Sequence, residues 1–170
     1  WKDGSGGANL GNWCMSLLRN QYPIYRIVDP VTLELTYYYV LIKGWTQIDA
    51  NTYDVEIREG IYDSEGHDIN ADDFIATLDA YSINNQSPTF NLLESYEKID
   101  DYNIRCHLNG KQKAGDWEDL MAVPPIVDSE VIARDGDSAT TGTTGFVVDR
   151  FENGAICRFV KAENGYWNEK

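Results

Sequence analysis

Polar and apolar side chains alternate along residues 52–58, with Tyr53, Val55 and Ile57 on one face and Asp54, Glu56 and Arg58 on the other. A period of two predicts a strand buried on one side, and Gly60 closes it. The period then changes. Phe74, Ile75, Leu78 and Tyr81 recur at helical spacing, Asn70 stands where an N-cap oxygen is wanted, and Asp72 and Asp73 follow in the first turn. Residues 51–81 are therefore expected to form a strand, a glycine turn, an acidic loop and a capped helix, with apolar faces that can pack together. The same patterning predicts a hairpin of 45–48 with 53–57 across the loop 49–51, and a second of 96–99 with 102–108 around Asp100 and Asp101. Residues 155–161 read as a strand and 114–121 as a short helix carrying Trp117, Leu120 and Met121. Leu10, Trp13, Cys14, Leu17 and Leu18 have helical spacing, residues 1–8 read as a flexible end, and 135–141 as a loop. The fold class is α+β, with mixed or antiparallel sheets and a few packed helices.

Composition narrows the picture. The 170 residues are 42% hydrophobic and include eleven tyrosines, enough for one domain with a real core. Fourteen basic against 28 acidic residues give a formal charge of -14, which repels nucleic acid and anionic headgroups and removes both as expected partners. No apolar run is long enough to span a bilayer, so membrane insertion of this segment is not expected. The chain opens on Trp1 without a basic-then-apolar leader, which we read as a processed or excised piece of a longer product. Cys14, Cys106 and Cys157 are odd in number and far apart, a pattern that fits neither a disulfide framework nor a zinc site. Cys106 and Cys157 are expected to be small buried residues on strands.

The landmarks Ile57, Arg58, Gly60, Ile61, then Tyr62, Asp63 and Gly66, then Ile69, Asn70, Ala71, Asp72, Asp73 and Phe74 follow a recognisable order. It resembles the Leu-Arg-x-Gly-Val, Phe-His-Asp-Gly and Leu-Thr-Ala-Glu-Asp-Val run of the family 5 extracellular solute-binding proteins of ABC importers. The turn is two residues longer, with Ser64 and Glu65 before Gly66. Further landmarks agree: Gly44 to Asp49 is similar to a Ser-Trp-x-x-Ser segment, Pro124 to Val127 to a proline-flanked strand, Gly142 to Val147 to a Gly-Thr-Gly-Pro-Tyr turn with Thr144 added, and Asn164 to Trp167 to Asn-Pro-x-Tyr-Trp with Gly165 for proline. In that family 38–41 is often a short helix, whereas the β-branched and tyrosine residues of 31–42 favour a strand, and this segment stays open.

The resemblance implies a fragment of a type II periplasmic-binding-protein fold, about the first third of a full-length member. Residues 1–42 would be the first segment of lobe one, 43–140 an inserted α+β domain, and 141–170 the return segment of lobe one. It implies capture of oligopeptides outside the cell by hinged closure of two lobes, and delivery to the permease subunits of an ABC importer. No cofactor, no metal and no catalysis are implied, and the protein is expected to be a monomeric cell-surface lipoprotein or periplasmic protein. Tyr22, Pro23, Ile24, Tyr25, Thr143 and Thr144 are implied as the parts of lobe one nearest the ligand. The alternatives are the same fold binding an oligosaccharide or metal chelate, and a free-standing extracellular interaction module.

Other candidate chemistry gives way to plainer readings. Asp68, Asn70 and Asp72 imitate the spacing of a calcium loop, but its sixth position is Asp73 instead of glycine and its twelfth is Asp79 on the predicted helix. Gly142 to Gly145 lacks the Lys-Ser or Lys-Thr of a phosphate-binding loop and leads into a strand. His67 and His107 stand forty residues apart without a nucleophile or metal partner in the sequence, and read as surface or strand histidines. The pairs Asp72-Asp73 and Asp100-Asp101 read as a helix start and a turn. Trp13, Tyr22, Tyr25, Tyr37, Tyr38, Tyr39 and Trp45 suit either the lining of a cleft or a core.

Overall fold

The computed structural model describes residues 18–83, 88–135, 141–152, 155–164 and 166–167. The helical pattern at 10–18, with Trp13 and Cys14, lies outside the described residues apart from Leu18. Eight strands are described: β1 (Ile24–Val28), β2 (Leu35–Tyr39), β3 (Ile42–Gln47), β4 (Thr52–Ile57), β5 (Leu93–Asp100), β6 (Asn103–Leu108), β7 (Phe146–Glu152) and β8 (Ile156–Lys161). Helices α1 (Ala71–Ile83), α2 (Asp116–Met121) and α3 (Ser129–Asp135) accompany them. β3-β4-β6-β5 form a four-stranded antiparallel sheet, while β1-β2 and β7-β8 are separate antiparallel pairs.

The alternation along β4 decides which face of the central sheet is buried. Tyr53, Val55 and Ile57 lie in the core with Ile104, Cys106 and Leu108 of β6, while Asp54 and Glu56 face outward. Both predicted hairpins form, with Trp45 opposite Val55 and Tyr96 opposite Cys106. Helix α1 closes the buried face through Phe74 and Leu78, each 1% exposed. Its start is a reciprocal cap: Asn70 Oδ1 accepts the Asp72 N–H (2.8 Å) and Asp73 Oδ2 accepts the Asn70 N–H (2.8 Å). Trp117 of α2 completes the core by stacking on Tyr53 at 4.3 Å between ring centroids and meeting Trp45 edge-on at 6.1 Å.

The segment 31–42, left open between strand and helix, contains β2 and the start of β3, because Tyr37, Tyr38 and Tyr39 pair with Arg26, Tyr25 and Ile24. Other sequence expectations are corrected. Residues 124–127 form no strand: their described ladder-like contact is one bond, from the Ile126 N–H to the Gln21 carbonyl (3.0 Å), and the two prolines supply no N–H donors. Helix α3 was not anticipated, whereas the strand expected to follow Gly145 is β7. Cys106 is fully buried, whereas Cys157 on the two-stranded β7-β8 pair is only half-buried.

Candidate functional site

Segments far apart in sequence meet at Gln21. Its backbone N–H donates to Thr143 Oγ1 (2.7 Å), its Nε2 to the Tyr166 hydroxyl (3.1 Å), and its Oε1 accepts from the Tyr25 hydroxyl (2.8 Å). Thr144 N–H donates to the Arg19 carbonyl (3.1 Å), the Thr144 hydroxyl to the Leu18 carbonyl, and Trp167 Nε1 to the Thr143 carbonyl (3.0 Å). Gly142 is packed so closely that a Cβ there would stand 2.0 Å from the Arg19 carbonyl oxygen. The turn 141–145 is thereby locked against 18–21. An open groove of about 410 Å³ lies over the junction, lined by Leu18, Gln21, Thr144, Phe146, Lys161 and Tyr166 among others.

Of the six residues assigned to the site from the sequence, Tyr25, Thr143 and Thr144 bond to the 18–21 segment and Thr144 alone lines the groove, while Pro23 and Ile24 face the β2 side. Tyr22 and Tyr25 are half-buried, with ring centroids 5.5 Å apart in an edge-on pair. Burial, then the neighbouring Tyr22 and Tyr166, push the Tyr25 hydroxyl up to about 12, so it remains a neutral donor. Pro23, Ile24, Thr143 and Thr144 are buried, and the threonine hydroxyls are used internally. The sequence reading missed Gln21, Phe146, Lys161 and Tyr166. Tyr166 lay within a quoted landmark, while nothing local marked Gln21.

The inserted residues Ser64 and Glu65 also have partners. Ser64 N–H donates to the Gly142 carbonyl (2.9 Å), its Oγ accepts from the Gly142 N–H (3.2 Å), and its carbonyl accepts from Asn164 Nδ2 (2.9 Å). Glu65 holds Arg134 of α3 in a two-point pair at 2.8 Å. The calcium-loop imitation dissolves into separate roles: Asp68 accepts from the Tyr102 hydroxyl (2.6 Å), Asn70 caps α1, and Asp72 pairs with Lys98 (2.9 Å). His107 sits on β6 beside Thr52. His67, read as solitary, instead has Nδ1 2.9 Å from Asp128 Oδ2 and 3.6 Å from Asp63 Oδ2. Burial works against its charged form, but Asp63 and then the bond to Asp128 outweigh that and raise its pKa.

A chain with these linked small sheets, a capped helix beside the central sheet and a glycine turn locked to the segment before its first strand has the architecture of part of a periplasmic binding protein. The sequence model described as Bacterial extracellular solute-binding proteins, family 5 Middle, matches residues 36–170, and the chain belongs to this family. Similar solved structures include the oligopeptide-binding protein AppA of Bacillus subtilis in complex with a nonapeptide (18% identity, 89% of this chain and 33% of that one, TM-score 0.67). A periplasmic oligopeptide-binding protein of Thermotoga maritima bound to mannohexaose is similar at 19% identity, covering 89% and 29% of the two chains, with a TM-score of 0.66. NikZ of Campylobacter jejuni in complex with Ni(L-His) is similar at 17% identity, covering 88% and 31%, with a TM-score of 0.67. The chain thus spans about a third of the length of these structures. No curated protein sequence matches it. Among the described residues, no helix is long and apolar enough to cross a membrane.

Proposed function

We propose that this chain is part of the solute-capturing component of an ABC importer, which takes up oligopeptides outside the cell and hands them to a membrane permease without catalysis. In this reading residues 1–42 and 141–170 belong to one lobe, 43–140 form an inserted domain, and a second lobe closes over the ligand about a hinge. The protein acts as a monomer, held at the cell surface by a lipid anchor or kept in the periplasm.

The observation that carries the reading is the convergence of 18–25, 141–146 and Tyr166 on Gln21 beneath an open groove, in a chain of this family. Tyr22 and Tyr25 offer half-buried rings to a ligand. Buried Pro23, Ile24, Thr143 and Thr144 fix the course of the main chain beside them. Recognition through exposed main chain at strand ends gives affinity for the peptide backbone and tolerance of many side chains. With one wall of the cleft alone, most of the burial that drives ligand binding is absent.

The test is a thermal-shift screen with mixed peptides on the longer product and on this chain in parallel. The reading expects the longer product to melt higher with some peptides and this chain to show no shift. A shift with mannooligosaccharides or nickel–histidine in place of peptides transfers the proposal to those solutes. Equal shifts in both proteins refute the division of the site between two lobes.

A further inference from the structure

The loop between β4 and α1 carries a cluster that shares no residue with the Gln21 junction. Asp63 is 3% exposed, and its Oδ1 accepts the N–H groups of Glu65 (2.9 Å) and His67 (2.8 Å). Asp128 is 4% exposed and caps α3, its Oδ1 accepting the N–H groups of Glu130 (2.6 Å) and Val131 (3.0 Å). Each carboxylate is therefore held by main chain through one oxygen, and each turns Oδ2 toward His67 Nδ1, at 3.6 Å for Asp63 and 2.9 Å for Asp128. The three atoms lie within 4.8 Å of one another.

A second, independent observation points to a ligand. Asp63 Oδ2 is shut off from solvent and has no hydrogen-bond partner, since 3.6 Å to the imidazole is too long for one. A buried carboxylate oxygen in that state is costly unless it takes up a proton or a cation meets it, and burial does raise the Asp63 pKa. Among the described residues no lysine or arginine pairs with either carboxylate: Arg134, on α3, is engaged by Glu65 and Asp135. His67 itself is 41% exposed on its side chain, which leaves a route in from solvent.

We propose that Asp63 Oδ2, His67 Nδ1 and Asp128 Oδ2 bind a divalent transition cation of the Zn²⁺ type, with water completing a four-coordinate shell. Bonds of ~2.1 Å in a tetrahedron separate ligand atoms by roughly 3.4 Å, and the observed 2.9 and 3.6 Å from the imidazole nitrogen straddle that spacing. The backbone amides on both Oδ1 atoms act as the outer shell that orients ligating carboxylates. One imidazole nitrogen and two carboxylates suit zinc and its neighbours; the site lacks the six to eight oxygens that calcium takes. On binding, the imidazole releases any Nδ1 proton to solvent and keeps its proton on Nε2. The ion would staple the 63–67 loop to the start of α3, whatever solute the protein carries.

The experiment is calorimetric titration of the chain with Zn²⁺, repeated on His67→Ala, Asp128→Asn and the control His107→Ala, with Co²⁺ absorption as a readout of coordination. The expected result is one site per chain with Co²⁺ visible bands. His107→Ala keeps both, while His67→Ala, folded by circular dichroism, loses the bands and weakens Zn²⁺ by more than the ~10–100-fold that a lost outer-shell partner costs. Equal Zn²⁺ binding by His67→Ala would mean adsorption to scattered surface carboxylates and overturn the proposal. No Zn²⁺ binding by the unaltered chain would overturn it too, leaving a protonated imidazole between the two carboxylates.

Discussion

At the residue scale, the junction depends on one position without a side chain. Gly142 lets the return segment touch the Arg19 carbonyl, where a Cβ would stand 2.0 Å away. The obstacle is backbone, so it cannot swing aside. Gly142→Ala is expected to lower stability by about 1–3 kcal/mol, as overpacked sites do, with the loss read from urea denaturation. An unchanged midpoint would show that 18–21 and 141–145 separate freely. The same scale explains the contrast between the two described cysteines. Cys106, fully buried opposite Tyr96, has its thiol pushed up to about 12 by desolvation, whereas Cys157 lies half-buried on a two-stranded pair.

At the element scale, the outward face of the central sheet is tied by a cross-strand pair. Arg105 of β6 donates Nε and Nη2 to the two carboxylate oxygens of Asp54 on β4 at 2.7 and 2.8 Å. The hydrogen bonds and charge of Arg105 lower the Asp54 pKa below its ordinary 3.8. The folded-state value is depressed, so the pair's contribution is complete above the unfolded value and is lost as pH falls through the lower folded one. Both side chains are partly exposed, at 35% for Arg105 and 24% for Asp54, which limits the coupling to about 0.5–1 kcal/mol. A double-mutant cycle with Asp54→Asn and Arg105→Gln should return that coupling at pH 7 and progressively less of it as acid protonates Asp54. A coupling that persists in acid would assign it to packing instead of charge.

At the scale of the whole molecule, stability is expected to be uneven. The central sheet is four strands wide and covered by α1 and Trp117, while β1-β2 and β7-β8 have two strands each and two-stranded pairs are marginal alone in water. Those pairs expose Ile27, Val28, Leu35, Phe146, Phe151 and Ile156, each at least 41% accessible. Amide hydrogen exchange should therefore be slowest in β4 and β6 and faster by orders of magnitude in β1-β2 and β7-β8. In a chain extended to the length of the similar solved structures, the two pairs should gain protection. Equal protection in both proteins would mean that the rest of the protein does not cover these faces.

The local grammar of the chain was legible because it is enforced over a few residues. Tyr53, Val55 and Ile57 share a face because side chains alternate on a strand, and Asn70 caps because its oxygen reaches two residues on. The landmarks from Ile57 to Phe74 carried the family for the same reason, being short and continuous. Tertiary structure alone decided what depended on distant partners. Pairing with β1 made 35–39 a strand, and two prolines without donors kept 124–127 out of any ladder. Gln21 became a junction through Thr143, 122 residues away, and His67 acquired Asp128 across 61 residues. Side-chain periodicity records which face of an element is buried, but not which distant segment will cover it. The partners of Gln21 and His67 were therefore fixed only when the packed core brought their backbones within hydrogen-bonding reach.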